Sequence, residues 1–329
     1  MKTKTWLVLI TLYIVWGSTY FSIKVAIETI PPFFHAAIRF LVAGLILILW
    51  QKMAGYALPT RKQWIFTAII GNLLLLGGNG LVSWAEQFIP SGIASLIIAS
   101  IPMFLVLGEA LRPGGTKPNL QVVIGLLIGL AGILVLVGPS EFSTGSDRLD
   151  PLGVIVVLVA CIFWAIGSIY SKSADLPASS LMNTGAQMVT ASVGLMMASF
   201  LGGELSNWSP AMVSTRSLFG LGYLILFGSI IGFSSYTWLL KNAPLPIFST
   251  YAYVNPVVAL ILGALLADEP LNARIIFASV IILGSVIFIN WARQAGEKKS
   301  ITQHGTRSEK TEVRSQRSIL PEKYSVKKS

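Results

Sequence analysis

The sequence predicts an all-α membrane protein of ten transmembrane helices, arranged as two inverted five-helix repeats. Three observations carry this reading. Only 12% of the 329 residues are charged and 54% are hydrophobic, against roughly 25% charged in a soluble domain. Long apolar windows recur along almost the whole chain. One half of the chain also repeats the other.

Ten windows stand out, near 5–26, 33–51, 64–86, 91–111, 121–138, 151–171, 180–201, 216–240, 247–267 and 272–292. Each approaches the length of about 20 apolar residues that a bilayer-spanning helix needs. Lipid offers the backbone no partners, so the windows read as helices rather than open strands. Pro/Gly-rich stretches separate them, such as "ETIPPF" (28–33), "QKMAGYALPTRKQ" (51–63), "RPGGTKPN" (112–119) and "GPSEFSTGSDRLDP" (138–151). The first window follows "MKTK" as a signal peptide would. It continues past position 20 with no clear small-residue cleavage site, so it reads as an uncleaved first helix.

With the N-terminus in the cytoplasm, nineteen of the 24 Lys and Arg fall on the inner side, ten of them from Arg293 onward. The positive-inside rule then puts both termini in the cytoplasm of a multi-pass plasma (inner) membrane protein. Residues 293–329 are polar and basic and read as a disordered cytoplasmic tail, mainly a solvated end that fixes topology. The tail explains most of the net charge of +10, so the charge does not argue for a nucleic-acid partner. Cys161 is the single cysteine, and His35 and His304 the two histidines, which leaves no disulfide, zinc spacing or other metal site. No cofactor is expected.

The duplication is legible in phrases. "WGSTYFSIK" (16–24) returns as "WAIGSIYSK" (164–172), 148 positions later. Trp84, Pro90, Ser95 and Pro102 return as Trp238, Pro244, Ser249 and Pro256 at an offset of 154, and Gly78 returns as Gly232. The copies span 1–140 and 151–292. Five helices per copy is an odd number, so the second copy enters the membrane from the opposite side. Inverted repeats of this kind are a recurring plan of secondary transporters, with the site near the midplane where the repeats meet.

"WGSTYFSIK" in the first helix, the Arg of "HAAIRF" in the second, and the Pro-containing fourth and ninth helices followed by "DEPLNARIIFASVIILGSVIFI" together resemble the EamA family, the ten-helix branch of the drug/metabolite transporter superfamily. The resemblance covers about residues 5–292. It implies an inner-membrane transporter, often an exporter of amino acids or other metabolites, with a central cavity lined mainly by helices 1, 3, 4, 6, 8 and 9. The first copy departs from the family's pattern at "LGEALRPGGTKPN", a longer and more basic connection.

Candidate contacts for a small-molecule substrate are Trp16, Ser18, Tyr20, Asn79, Trp164, Ser168, Ser249, Tyr251 and Asn255. Apolar and aromatic walls with few polar groups suit such a site, although simple packing explains any one tryptophan slightly better. Pro102 and Pro256 are candidate hinges, since each removes an N–H from its helix. His35 and Arg39 lie four apart, on one helix face. With Glu86 they are candidates for coupling or for contact with an anion, Arg39 being weighed against a snorkelling interface residue. Lys24 and Lys172 read as interface anchors. The four-spaced pairs Gly125–Gly129 and Gly228–Gly232 read as close-packing sites within the monomer.

The first and sixth spans carry no carboxylate, and Glu86 and Glu109 lie near helix ends. A compulsory carboxylate-centred exchange of organic cations for protons is therefore not expected, and coupling through Glu86 or His35 stays open. No paired-carboxylate, Ser/His/Asp or phosphate-loop pattern argues for an enzyme. The expected function is export of a small metabolite by alternating access, as a monomer or a homodimer in the lipid bilayer. The alternative is a membrane receptor or scaffold acting through the basic tail.

Overall fold

The computed structural model describes residues 3–115, 117–138, 149–248 and 250–292. The basic tail from 293 onward and Ser249 lie outside the described residues. Regular structure among the described residues is helical throughout. Ten helices follow one another: α1 Thr3–Ala26, α2 Pro32–Met53, α3 Arg61–Ala85, α4 Ser91–Leu111, α5 Leu120–Val137, α6 Pro151–Ser171, α7 Ser180–Leu201, α8 Thr215–Leu240, α9 Tyr251–Leu266 and α10 Ala273–Ala292. All but α9 have the length and apolarity to cross a membrane, and α9, at 16 residues, follows the short helical turn Leu245–Phe248. The face where α1 begins is called proximal below, and the other distal.

The helix starts are written in polar side chains. Thr60 and Gln63 form a capping box at α3. Asn119, Asp150, Ser179 and Ser214 each accept a hydrogen bond from a first-turn N–H of α5, α6, α7 and α8. α2 begins with Pro32, whose missing N–H costs nothing at that position.

The two repeats interleave. The first helix of each packs against the third and fourth helices of the other: α1 against α8 and α9, α6 against α3 and α4. α2 and α7 pack along their length, crossing at Gly44 and Gly185, where an added Cβ on Gly44 would sit 2.8 Å from the Gly185 carbonyl oxygen. α5 and α10 meet through Gly125, Gly129 and Gly132 on one side and Ser285, Ile289 and Ile282 on the other. The close-packing glycines thus work inside the monomer, and Gly228 and Gly232 do likewise against Thr19 and Trp16.

Both third helices widen at matching places. α3 becomes a π-helix over Asn72–Gly80 and α8 over Leu224–Ile231. Such segments displace carbonyls from the regular ladder and gather at functional sites.

The hinge prolines, matched in sequence, sit in different local structures. α4 breaks at Ala99–Ser100 and resumes at Ile101, so Pro102 is in a first turn. Pro256 lies inside α9, five residues beyond its start, where Ala252 loses the N–H that would bond to its carbonyl.

Gly71 gives a sharp test of this packing. A Cβ there would lie 2.4 Å from the main-chain oxygen of Gln187 on α7, which cannot yield as a side chain would. Gly71→Ala is expected to lower stability by about 1–3 kcal/mol. Gly222→Ala, with open space around it, is expected to be neutral or to gain up to ~1 kcal/mol. Thermal unfolding of the two purified variants in detergent checks the contrast.

Candidate functional site at the repeat interface

Trp16 sits about halfway along α1 and meets the second repeat. Its ring stacks on Tyr236 at 5.1 Å and stands edge-on to Phe233 at 5.3 Å and Tyr251 at 5.6 Å. Phe248 closes the cluster against Tyr236 and Tyr251. The indole Nε1 donates to the Gly228 carbonyl at 3.2 Å, inside the widened stretch of α8. Gly232 lies directly under the indole: a Cβ there would fall 2.3 Å from Nε1.

The other repeat makes the reciprocal contact. Trp164 of α6 lies over Gly78 of α3, with 2.7 Å left for a Cβ, and Phe163 lies over Gly77. The offsets that align Trp16 with Trp164 and Gly78 with Gly232 in the sequence therefore correspond to two symmetry-related contacts between repeats.

Tyr20, one turn beyond Trp16, is partly buried against the core formed by α3, α4 and α6. Asn79 and Ser168 are partly buried; their main-chain oxygens accept from Ser83 Oγ at 3.0 Å and Ser171 Oγ at 2.7 Å. Asn255 is buried with its Oδ1 unpartnered among the described residues, and its carbonyl approaches Gly17, next to Trp16. Trp16, Tyr251 and Asn255 are thus brought together, and Trp164 meets Gly78, the neighbour of Asn79, separately across the interface. Ser18 points elsewhere. Its Oγ pairs with Tyr223 Oη at 2.7 Å beside an apolar groove of about 870 Å³ between α1, α8 and α9. Nothing is described for Ser249.

Phe233, Tyr236 and Phe248 were missed in the sequence. A signal existed for two of them: once Gly232 is aligned with Gly78 as the seat of a tryptophan, its neighbour Phe233 and Tyr236, one helical turn on, share its surroundings.

The charged groups gather distally. Arg39 is buried, not snorkelling, and its Nε donates to Ser229 Oγ on α8 at 2.9 Å. His35 is buried, with Nδ1 2.7 Å from the Pro32 carbonyl. Lys24, expected as an anchor, instead reaches across to the main-chain oxygen of Glu86 at 2.5 Å. Lys172, also expected as an anchor, pairs with Glu109 at 3.1 Å near the proximal face. Two carboxylates from the second repeat cap helices of the first: Glu204 accepts from the Phe33 and Phe34 N–H groups, and Glu269 from those of Ser91 and Gly92 at 2.6 and 2.9 Å. A carboxylate at a helix N-terminus gains both hydrogen bonds and the macrodipole. Among the described residues no group of three or more His, Cys, Asp or Glu could hold a metal ion.

The model of the EamA-like transporter family matches residues 3–138 and again 151–291. The chain is 40% identical over 289 residues to the inner membrane transporter YedA of Escherichia coli K12, covering 85% of this chain and 91% of that protein. It is 25% identical over 302 residues to the transporter YvbV of Bacillus subtilis, covering 91% and 96%. A solved crystal structure at 17% identity superposes with a TM-score of 0.59, covering 90% of this chain and 99% of the other, and shows the fold alone.

The distal caps should carry measurable stability. Glu269→Ala strips two helix N–H groups of their shared acceptor and is expected to cost about 1–3 kcal/mol. Glu28→Ala breaks only the exposed pair with Arg216 and is expected to cost at most about 1 kcal/mol. Melting temperatures of the two variants, measured side by side, check this ordering.

Proposed function

The chain belongs to the EamA-like transporter family, and from that premise we propose that it exports a small metabolite, an amino acid or related compound, by alternating access. The observation that carries the proposal is the Trp16–Tyr236–Tyr251 cluster where α1 of one repeat meets α8 and α9 of the other. A ligand held there touches both halves. Its binding energy can therefore depend on how the halves are packed, which is what a carrier requires. Aromatic walls with a few polar groups, here Asn255 and the tyrosine hydroxyls, suit a small amphipathic solute.

In this reading the repeats rock against one another, with Pro102 and Pro256 taking up the bend. The distal face is extracellular and both termini are cytoplasmic, as the distribution of Lys and Arg favours. The copies act as units over 1–140 and 151–292, with 293–329 as a disordered cytoplasmic tail. Asn79, Trp164 and Ser168 line the passage on the side related by the repeat symmetry. Ser18 and Ser249 complete the proposed set of contacts, Ser18 by way of its bond to Tyr223.

Purified protein in proteoliposomes, offered pools of amino acids, nucleosides, sugars and aromatic cations, is expected to show saturable flux. Trp16→Ala should raise the half-saturation concentration about tenfold, equivalent to ~1.4 kcal/mol, while Trp50→Ala, at an exposed position, leaves it unchanged. Absence of saturable flux from every pool, or a Trp16→Ala variant indistinguishable from wild type, overturns the reading. Alternating access has its own measurement. Cysteines placed at Asn79 and Ser168 in a Cys161→Ala background are expected to react from either side of the membrane, in proportions that added solute changes. Labelling from one side only under every condition rules out the rocking model.

A further inference from the structure

Glu86 is the one carboxylate fully withdrawn from the surface among the described residues. It follows the last residue of α3, and neither of its carboxylate oxygens has a hydrogen-bond partner there. The neighbouring charged groups make this unusual, because none of them donates a hydrogen bond to the carboxylate. Lys24 of α1 spends its ammonium on the main-chain oxygen of Glu86 itself, not on the carboxylate. Arg39 of α2 donates to Ser229. Glu269, from the α9–α10 connection, holds the Ser91 and Gly92 N–H groups. His35 of α2 is tied through Nδ1 to Pro32 and leaves Nε2 unpartnered. α6 contributes Asp150, turned onto the Leu152 N–H, and Cys161 more deeply. The first half of α4, Ser91–Ile98, carries no titratable side chain.

An ionised carboxylate without a donor in an enclosed site is costly enough that such groups take up a proton instead. The same pocket holds the means of reversing this. The Lys24 ammonium is already bonded to the Glu86 main-chain oxygen, and a move from that carbonyl to the carboxylate would supply the missing donor. That exchange would favour the ionised form. It becomes available once the distal connections part and water enters.

We propose that Glu86 is the site at which this transporter binds and releases a proton during its cycle. The proposal rests on the alternating-access reading above. In the distal-closed arrangement a carboxylate oxygen of Glu86 carries the proton, and the acid is neutral. When the distal face opens, the O–H bond breaks, the proton passes to water, and Lys24 takes up the carboxylate. Tyr20 of α1 packs against the core that holds Val82 and Ala85 of α3, so its hydroxyl offers the second route, toward the Trp16 cluster and the proximal side. Glu86 thereby sits where a proton and a solute bound near Trp16 compete through shared helices.

The test reads the proton directly. Infrared difference spectra of the full-length protein in lipid, taken between acidic and alkaline pH, are expected to contain a protonated-carboxyl band that is lost in Glu86→Gln and kept in Glu28→Gln. If Glu86→Gln does not fold, Glu86→Asp is expected to shift the band and its titration midpoint. Spectra unchanged in both Glu86 variants overturn the proposal. In proteoliposomes with an internal pH dye and the solute pools above, the wild type is expected to show a solute-driven pH change. Glu86→Gln is expected to lose that change while keeping solute counterflow. Wild-type solute flux with no pH change overturns the proton site and leaves alternating access standing. No solute flux in the wild type overturns the transport reading, and the infrared band then decides proton binding by Glu86 on its own.

Discussion

The structure depends on one contact made twice: an indole from the first helix of each repeat lying on a glycine in the third helix of the other. Trp16 on Gly232 and Trp164 on Gly78 leave no room for a single methyl group. The contact fixes how deeply the halves interlock, because a larger residue at either glycine would push a first helix away from its cradle. It also explains why the third helices widen where they do. The π-helical stretches beside these glycines turn carbonyls out of the ladder, and at Gly228 one of those carbonyls receives the Trp16 N–H. Packing, backbone geometry and hydrogen bonding are thus settled together at one depth.

Lipid makes this arrangement restrictive. A displaced carbonyl facing hydrocarbon has no partner, so irregular backbone is tolerated only where protein or water covers it. The breaks and widened turns of α3, α4, α8 and α9 lie on the helices that the opposite repeat's first helix covers. α5 and α10 are uninterrupted, packing against each other through glycines at their shared seam. Irregularity is concentrated where the two halves meet. That is also the place where a change of packing would be felt by a bound solute.

Much of this was legible in the sequence. Hydropathy windows located the spans, and the matching offsets of 148 and 154 revealed both the duplication and the residues that occupy equivalent places. The pairing of those residues was not legible. An offset says that Trp16 corresponds to Trp164, but not that each sits on the other repeat's glycine, because that depends on how two helices cross. Tyr236 and Phe233 stayed hidden for the same reason. Glu86 was legible as a coupling candidate near a helix end, but its full burial was not, since hydropathy measures neighbours along the chain. Its burial comes from helices brought together in space, α6 and α2 against the end of α3 and Lys24 of α1 onto its main-chain oxygen. Lys24 misled in the same way, for a lysine at a helix end reads as an anchor until the carbonyl it reaches for is known.

Pro102 and Pro256 are equivalent in sequence, yet one stands in the first turn after a break and the other inside a continuous helix. If inverted repeats were packed identically, the molecule would be two-fold symmetric about an axis in the membrane plane and open equally to both sides. A molecule closed toward one side must therefore hold its two copies in different shapes, and the fourth helices are where the described shapes differ. The charge distribution is unequal as well. The carboxylate caps of Glu204 and Glu269, both drawn from the second repeat, seal the distal face, whereas Gln51–Ser179, Lys62–Asp175 and Lys172–Glu109 link helices near the proximal one. Two carboxylates bonded to helix N–H groups hold more tightly than the part-exposed pairs Lys62–Asp175 and Lys172–Glu109. Unequal seals of this kind make the two faces of the molecule energetically distinct even though the repeats share one plan.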